Sequence, residues 1–242
     1  MNQFNRTVGV QSDTDLGLKS FMLGTYRYMA MAMGVTATVA YFVGQAALAN
    51  PAILGFIYSP VVAIGAFFVI IFGFGAVGKR LPSMSLGGVQ AFLFGFAAFM
   101  GVLMSAYAAF YDPFIVAKIF FMTVAMFAGL SLFGYTTGFN LSTIVKYAFA
   151  ALLAVIVIGL VGMFVPQLSI FNGGALGMGM NLVGLGAVAV ISAWKTQMLK
   201  SIYYGSAGNP AMANKLSAFG AASLLLSFIN MFTFLMNLFG GE

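Results

Sequence analysis

Seven runs of twenty or so apolar residues, each closed by a charge, a proline or a polar cluster, limit what this 242-residue chain can fold into. About 20 apolar residues in a helix cross the hydrocarbon core of a bilayer, where a helix satisfies its own backbone hydrogen bonds. The runs cover residues 26–48, 56–77, 86–110, 114–136, 144–165, 175–200 and 218–239. Their stops include Asn50-Pro51, Gly78-Lys79-Arg80, Tyr111-Asp112-Pro113 and Pro166. Charged residues make up 6% of the chain, whereas a water-facing globular domain carries about 25%. The pattern predicts an all-α membrane protein with seven transmembrane helices in a bundle over 25–242, preceded by a polar lead over 1–24. That lead has no apolar core or small-residue cleavage pattern of a signal peptide and reads as retained.

Composition removes whole classes of chemistry. The chain has no cysteine and no histidine, so disulfides, imidazole or thiolate metal sites and a Ser-His-Asp triad are all ruled out. Four acidic residues in total leave too few carboxylates for acid-base catalysis or a calcium cage. Neither an enzyme nor a cofactor is expected. The net charge of +6 comes from ten basic residues set singly between apolar runs, which argues for orientation in a bilayer and against nucleic acid. Lys79, Arg80, Lys146 and Lys200 serve as topology anchors, with Arg6, Lys19, Arg27 and Lys215 on the same face. The connections over 49–55 and 166–174 have no basic residue. Because basic loops stay inside, the N-terminus is expected in the cytoplasm and the C-terminus outside.

Function then has to reside in the bundle, and polar groups inside the spans are its markers. Lys195 lies near the end of the sixth run. It sits five residues before Lys200, about 7.5 Å along a helix, so the default expectation is that its stem snorkels to the interface. Other readings have its ammonium standing in for a cation or proton and holding the bundle shut, or meeting a partner protein or an anionic lipid headgroup. On the seventh run Ser223, Ser227, Asn230 and Asn237 recur at helical spacing, forming one stripe for interhelical hydrogen bonds or a conduction path. Glycines from Gly173 to Gly186 predict close packing of the sixth helix. Asp112 and Lys118 are spaced for an interfacial ion pair, and Tyr135, Thr136 and Thr137 for satisfying a helix end.

Several segments, in order, resemble the Bax-inhibitor-1-like (transmembrane BAX inhibitor motif) family. They are Ser20 to Met33, Met84-Ser85 with Gln90, Gly134-Tyr135-Thr136-Thr137 with Leu141-Ser142, Thr196-Gln197, and Phe228-Ile229-Asn230-Met231-Phe232. The resemblance implies seven helices with the last one central and six around it in two layers. It also implies a bacterial inner-membrane protein, and some bacterial relatives are associated with a membrane-bound quality-control protease. Better-studied relatives are described as pH-sensitive calcium leaks, gated by two aspartates that share a proton between the sixth and seventh spans.

This chain departs from that pattern at both places, with Lys195 in Lys195-Thr196-Gln197 and Ser227 in Ser227-Phe228-Ile229-Asn230. A lysine and a hydroxyl do not share a proton as two carboxylates do. A fixed unit charge 4 Å from a divalent cation costs roughly 8 kcal/mol at an effective dielectric of 20, so calcium conduction is not carried over. The expectation is a non-conducting or weakly conducting regulatory or structural membrane component. The alternatives are a pH-modulated calcium or cation leak, and an accessory subunit of a larger membrane complex.

Overall fold

Four of the spans begin where the sequence offers a cap. Ser59, Ser85, Asp112 and Asn209 stand just before helices and accept backbone N–H bonds from Val62, Gly88, Phe114 and Met212. Three of them are followed by a proline at the first helical position, where its missing N–H costs nothing. The computed structural model describes residues 2–165, 174–206 and 209–241, with side chains from Leu16 onward. The basic-free connection expected from Pro166, Gly173 and the Arg6 side chain lie outside these.

Among the described residues the chain forms α1 (Asn2–Ala49), α2 (Ala52–Ile57), α3 (Pro60–Arg80), α4 (Leu86–Leu103), α5 (Ser105–Phe110), α6 (Pro113–Thr136), α7 (Ser142–Gly162), α8 (Gly174–Gly205) and α9 (Pro210–Phe239). Seven are long and apolar enough to cross a membrane: α1 over Leu16–Ala49, α3, α4, α6, α7, α8 and α9. The fold is the expected all-α bundle of seven spans.

Several boundaries differ from the sequence reading. α1 runs on from Asn2 without a break, because residues 2–24 hold no proline to stop it; the change at 24 is one of composition. α8 and α9 each extend several residues past the expected runs where they approach each other. The third run, expected unbroken over 86–110, is interrupted at Met104. There Ser105 Oγ donates to the Val102 carbonyl at 2.7 Å. The Tyr58 hydroxyl donates to the Leu103 carbonyl and accepts from the Ala106 amide, taking up groups that a straight helix would pair internally.

α9 is the centre. In its most apolar window 72% of residues are buried, against 6% for α3, and α1, α4, α6 and α8 pack directly on it. α7 packs on α8 in an outer layer. α3 rests on the bundle through Phe74, whose ring meets Phe92, Phe96 and Phe219 edge-on or tilted. Lipid offers no hydrophobic drive between helices, so close packing must supply the association. Ala218, Ala221 and Ala222 on α9 are accordingly fully buried. Leu224, Leu225 and Met231 fill the layers beyond them.

Glycine is required where backbones nearly touch. A Cβ on Gly134 of α6 would stand 2.1 Å from the Ala193 carbonyl of α8, and one on Gly101 of α4 would stand 2.6 Å from the Thr36 carbonyl of α1. Of the glycines expected to pack α8, Gly184 meets the Phe234 ring, whereas Gly179 and Gly186 face open space.

Candidate functional site

Among the described residues, the α8–α9 seam holds the buried Lys195 and several of the in-membrane polar groups. The two helices run antiparallel, with Gly184 against Phe234 at one end and Leu199 against Gly220 at the other. Between these contacts Lys195 is 9% exposed. Its Nζ donates to Ser227 Oγ at 2.8 Å and to the Ser223 carbonyl at 2.8 Å. The snorkelling expected of Lys195 is therefore corrected: the ammonium turns inward to α9. An aliphatic stem would let it reach the interface, but the second lone pair of a helix carbonyl and a hydroxyl one turn apart on α9 offer a buried ammonium two acceptors.

The next two residues tie α8 to other elements. Thr196, fully buried, shares a 2.9 Å hydrogen bond with Ser131 of α6, and Ser131 bonds in turn with the Tyr26 hydroxyl of α1. Gln197 accepts from the Leu141 amide at 3.1 Å and donates to the Phe139 carbonyl at 2.7 Å, fixing the connection between α6 and α7. One turn on, Lys200 donates to the Tyr135 carbonyl at 3.4 Å and stands 5.0 Å from the Tyr135 ring. It thus caps the carbonyl end of α6 as well as lying among the expected anchors. Thr136 Oγ1 returns to the Leu132 carbonyl, and Thr137 Oγ1 accepts from the Phe139 amide, so the Gly134–Thr137 stretch does satisfy a helix end.

The stripe on α9 divides. Ser223 and Ser227 meet Lys195. Asn237 donates to Asn181 Oδ1 at 3.1 Å and accepts from the Tyr107 hydroxyl at 3.5 Å. Asn230 lies between them, half-buried, without a hydrogen bond among the described residues. Lys79, Arg80 and Lys146 are exposed at helix ends, apart from the seam. The Asp112–Lys118 ion pair does not form. Asp112 caps α6 through the Phe114 amide at 2.6 Å, a bond available within its own turn, and no ion pair joins it to Lys118 among the described residues.

Several participants were not singled out from the sequence, Tyr107 among them. Asn181 is a lone amide in an apolar helix and carries the same signal as Lys195. Ser131 and Tyr26 are 105 residues apart, and only the packing of α1, α6 and α8 brings them together.

Among the described residues the seam contains a cation, hydroxyls and amides and no carboxylate; Asp112, the acidic residue whose side chain is described, caps α6. What it can do is hold α8 on α9 and keep positive charge within the bundle. Fold and seam together define a polytopic α-helical membrane protein whose buried lysine is hydrogen-bonded to its last helix.

Residues 18–242 match the family described as Inhibitor of apoptosis-promoting Bax1, and the chain belongs to that family. Its relatives include an uncharacterized protein of Caulobacter vibrioides, 30% identical over 100% of this chain and 99% of the relative. Uncharacterized protein RP147 of Rickettsia prowazekii is 29% identical over 94% of this chain and 92% of its own length. Inner membrane protein YbhL of Escherichia coli is 26% identical over 93% of each. With seven apolar spans, these relationships identify a multi-pass bacterial inner-membrane protein. The positions that the family resemblance gives to the two aspartates, Lys195 and Ser227, are hydrogen-bonded to each other.

Proposed function

We propose that this protein is a non-conducting or weakly conducting regulatory or structural component of the bacterial inner membrane, without enzymatic activity. One observation carries the reading: the Lys195 ammonium is buried and bonded to Ser227 Oγ and the Ser223 carbonyl, each at 2.8 Å. Where a carboxylate pair would attract calcium and share a proton, this seam carries its own cation. A lysine and a serine hydroxyl do not share a proton as two carboxylates do, and neither group draws a second cation into the seam. In this reading the N-terminus faces the cytoplasm, as the basic loops require.

The test is a calcium flux assay in liposomes between pH 5 and 8, comparing the native chain with the double variant Lys195→Asp, Ser227→Asp. The native chain is expected to match protein-free liposomes, and the double variant to leak with a pH dependence. A native chain that leaks calcium as pH changes sinks the reading in favour of a cation leak.

A second reading, an accessory subunit of a larger membrane complex or of a protease assembly, is favoured by α3. Its sole buried residue is Ala66, and Phe68, Val69, Ile71 and Phe72 are exposed along it, leaving a span for another protein to cover. Purification in mild detergent that returns this chain alone counts against it.

A further inference from the structure

α1 and α6 each pack on α8 and α9 but hardly on one another. The gap between them is a groove that opens sideways towards lipid. Two cavities of about 630 and 430 Å³ lie end to end in it, sharing Met33 and Phe228. Both volumes fall in the range of small-molecule sites. Leu225, Phe228, Ile229 and Phe232 of α9 form the floor, so the groove reaches the central helix.

An apolar groove in a bilayer accepts any lipid chain, and only its end can choose among headgroups. At the basic end the larger cavity is lined by Lys19, Tyr26, Ser131 and Tyr135. The Lys200 ammonium stands 5.0 Å from that Tyr135 ring, adding a second positive charge behind the wall. Among the described residues no acidic side chain lines either cavity. From Lys19 to Met33 the helix rises about 21 Å over fourteen residues, and half the hydrocarbon thickness is about 15 Å. A molecule with its head at Lys19 therefore lays its tail past the bilayer midplane and into the second cavity.

We propose that the α1–α6 groove binds an anionic phospholipid. Its phosphate meets Lys19, with Lys200 reinforcing the potential, and one acyl chain lies between Met29, Met33, Phe127 and Phe228. Basic residues between spans at a membrane surface attract anionic headgroups, and one lysine there confers roughly fivefold preference.

The test reconstitutes the whole chain in phosphatidylcholine vesicles containing a trace of photoactivatable lipid. The reactive group sits mid-chain, on either a phosphatidylglycerol or a phosphatidylcholine headgroup, and labelled peptides are mapped. Phosphatidylglycerol is expected to label residues 29–33 of α1 and 124–132 of α6 several-fold more than the exposed α3 face at Phe68 and Phe72. Lys19→Gln should lower that labelling about fivefold, to the phosphatidylcholine level. Ala30→Phe and Ala128→Phe fill the groove from opposite walls, so failure of one to fold leaves the other. Either should remove groove labelling with both headgroups. Equal labelling by the two headgroups, or labelling of α3 as strong as that of the groove, overturns the proposal.

Discussion

Lys195 and Ser227 are best separated by substitution. Ser227→Ala leaves a buried ammonium with one acceptor fewer and is expected to destabilise the bundle by about 1–3 kcal/mol. Lys195→Met, of similar length, removes the charge together with its need for partners. It is expected to be neutral or stabilising, as replacement of buried ionic groups by apolar ones often is. Thermal unfolding in detergent should therefore show the alanine variant melting below the native chain, with the double variant Lys195→Met, Ser227→Ala recovering most of the loss. A Lys195→Met variant that melts lowest of all would show that the lysine bond itself holds the helices. The sequence marked Lys195 as an oddity and Ser227 as one of a stripe. It did not reveal that the ammonium points inward, because the direction of a long side chain depends on which acceptors the neighbouring helix leaves free.

Among the elements, the closest approach joins α6 to α8. Gly134→Ala drives a methyl into the Ala193 carbonyl, a backbone contact that cannot rotate away, and is expected to cost at least about 1–3 kcal/mol. Gly129→Ala on the same helix meets nothing within 4 Å and should be neutral or gain about 0.5–1 kcal/mol from helix propensity. Thermal unfolding of the two variants side by side checks the contrast. Gln197→Ala should release the 137–141 connection by freeing the Leu141 amide and Phe139 carbonyl. Faster hydrogen exchange at Leu141, with α9 unchanged, is the expected outcome. Spans of this kind were legible because apolar length is a local property. The break at Met104 was not, because it depends on Tyr58 arriving from 45 residues away.

For the whole molecule, apolar length gave seven spans, the family resemblance implied a central last helix, and the buried face of α9 agrees with both. The outer position of α3 and the α1–α6 groove had no sequence signal, since an apolar helix reads alike whether lipid or protein covers it. Orientation is open to experiment, because the chain has no native cysteine. A single cysteine at Asn140 should react with a membrane-impermeant maleimide only in inverted vesicles, and one at Asn50 only from outside intact spheroplasts. The reverse pattern would invert the assignment of faces. The most direct measurement of the central claim is calcium entry into liposomes holding the native protein alone, followed with an internal dye as external pH is stepped from 8 to 5. A cation fixed between α8 and α9 predicts entry no faster than in empty liposomes at every pH, and entry that changes with pH would contradict it.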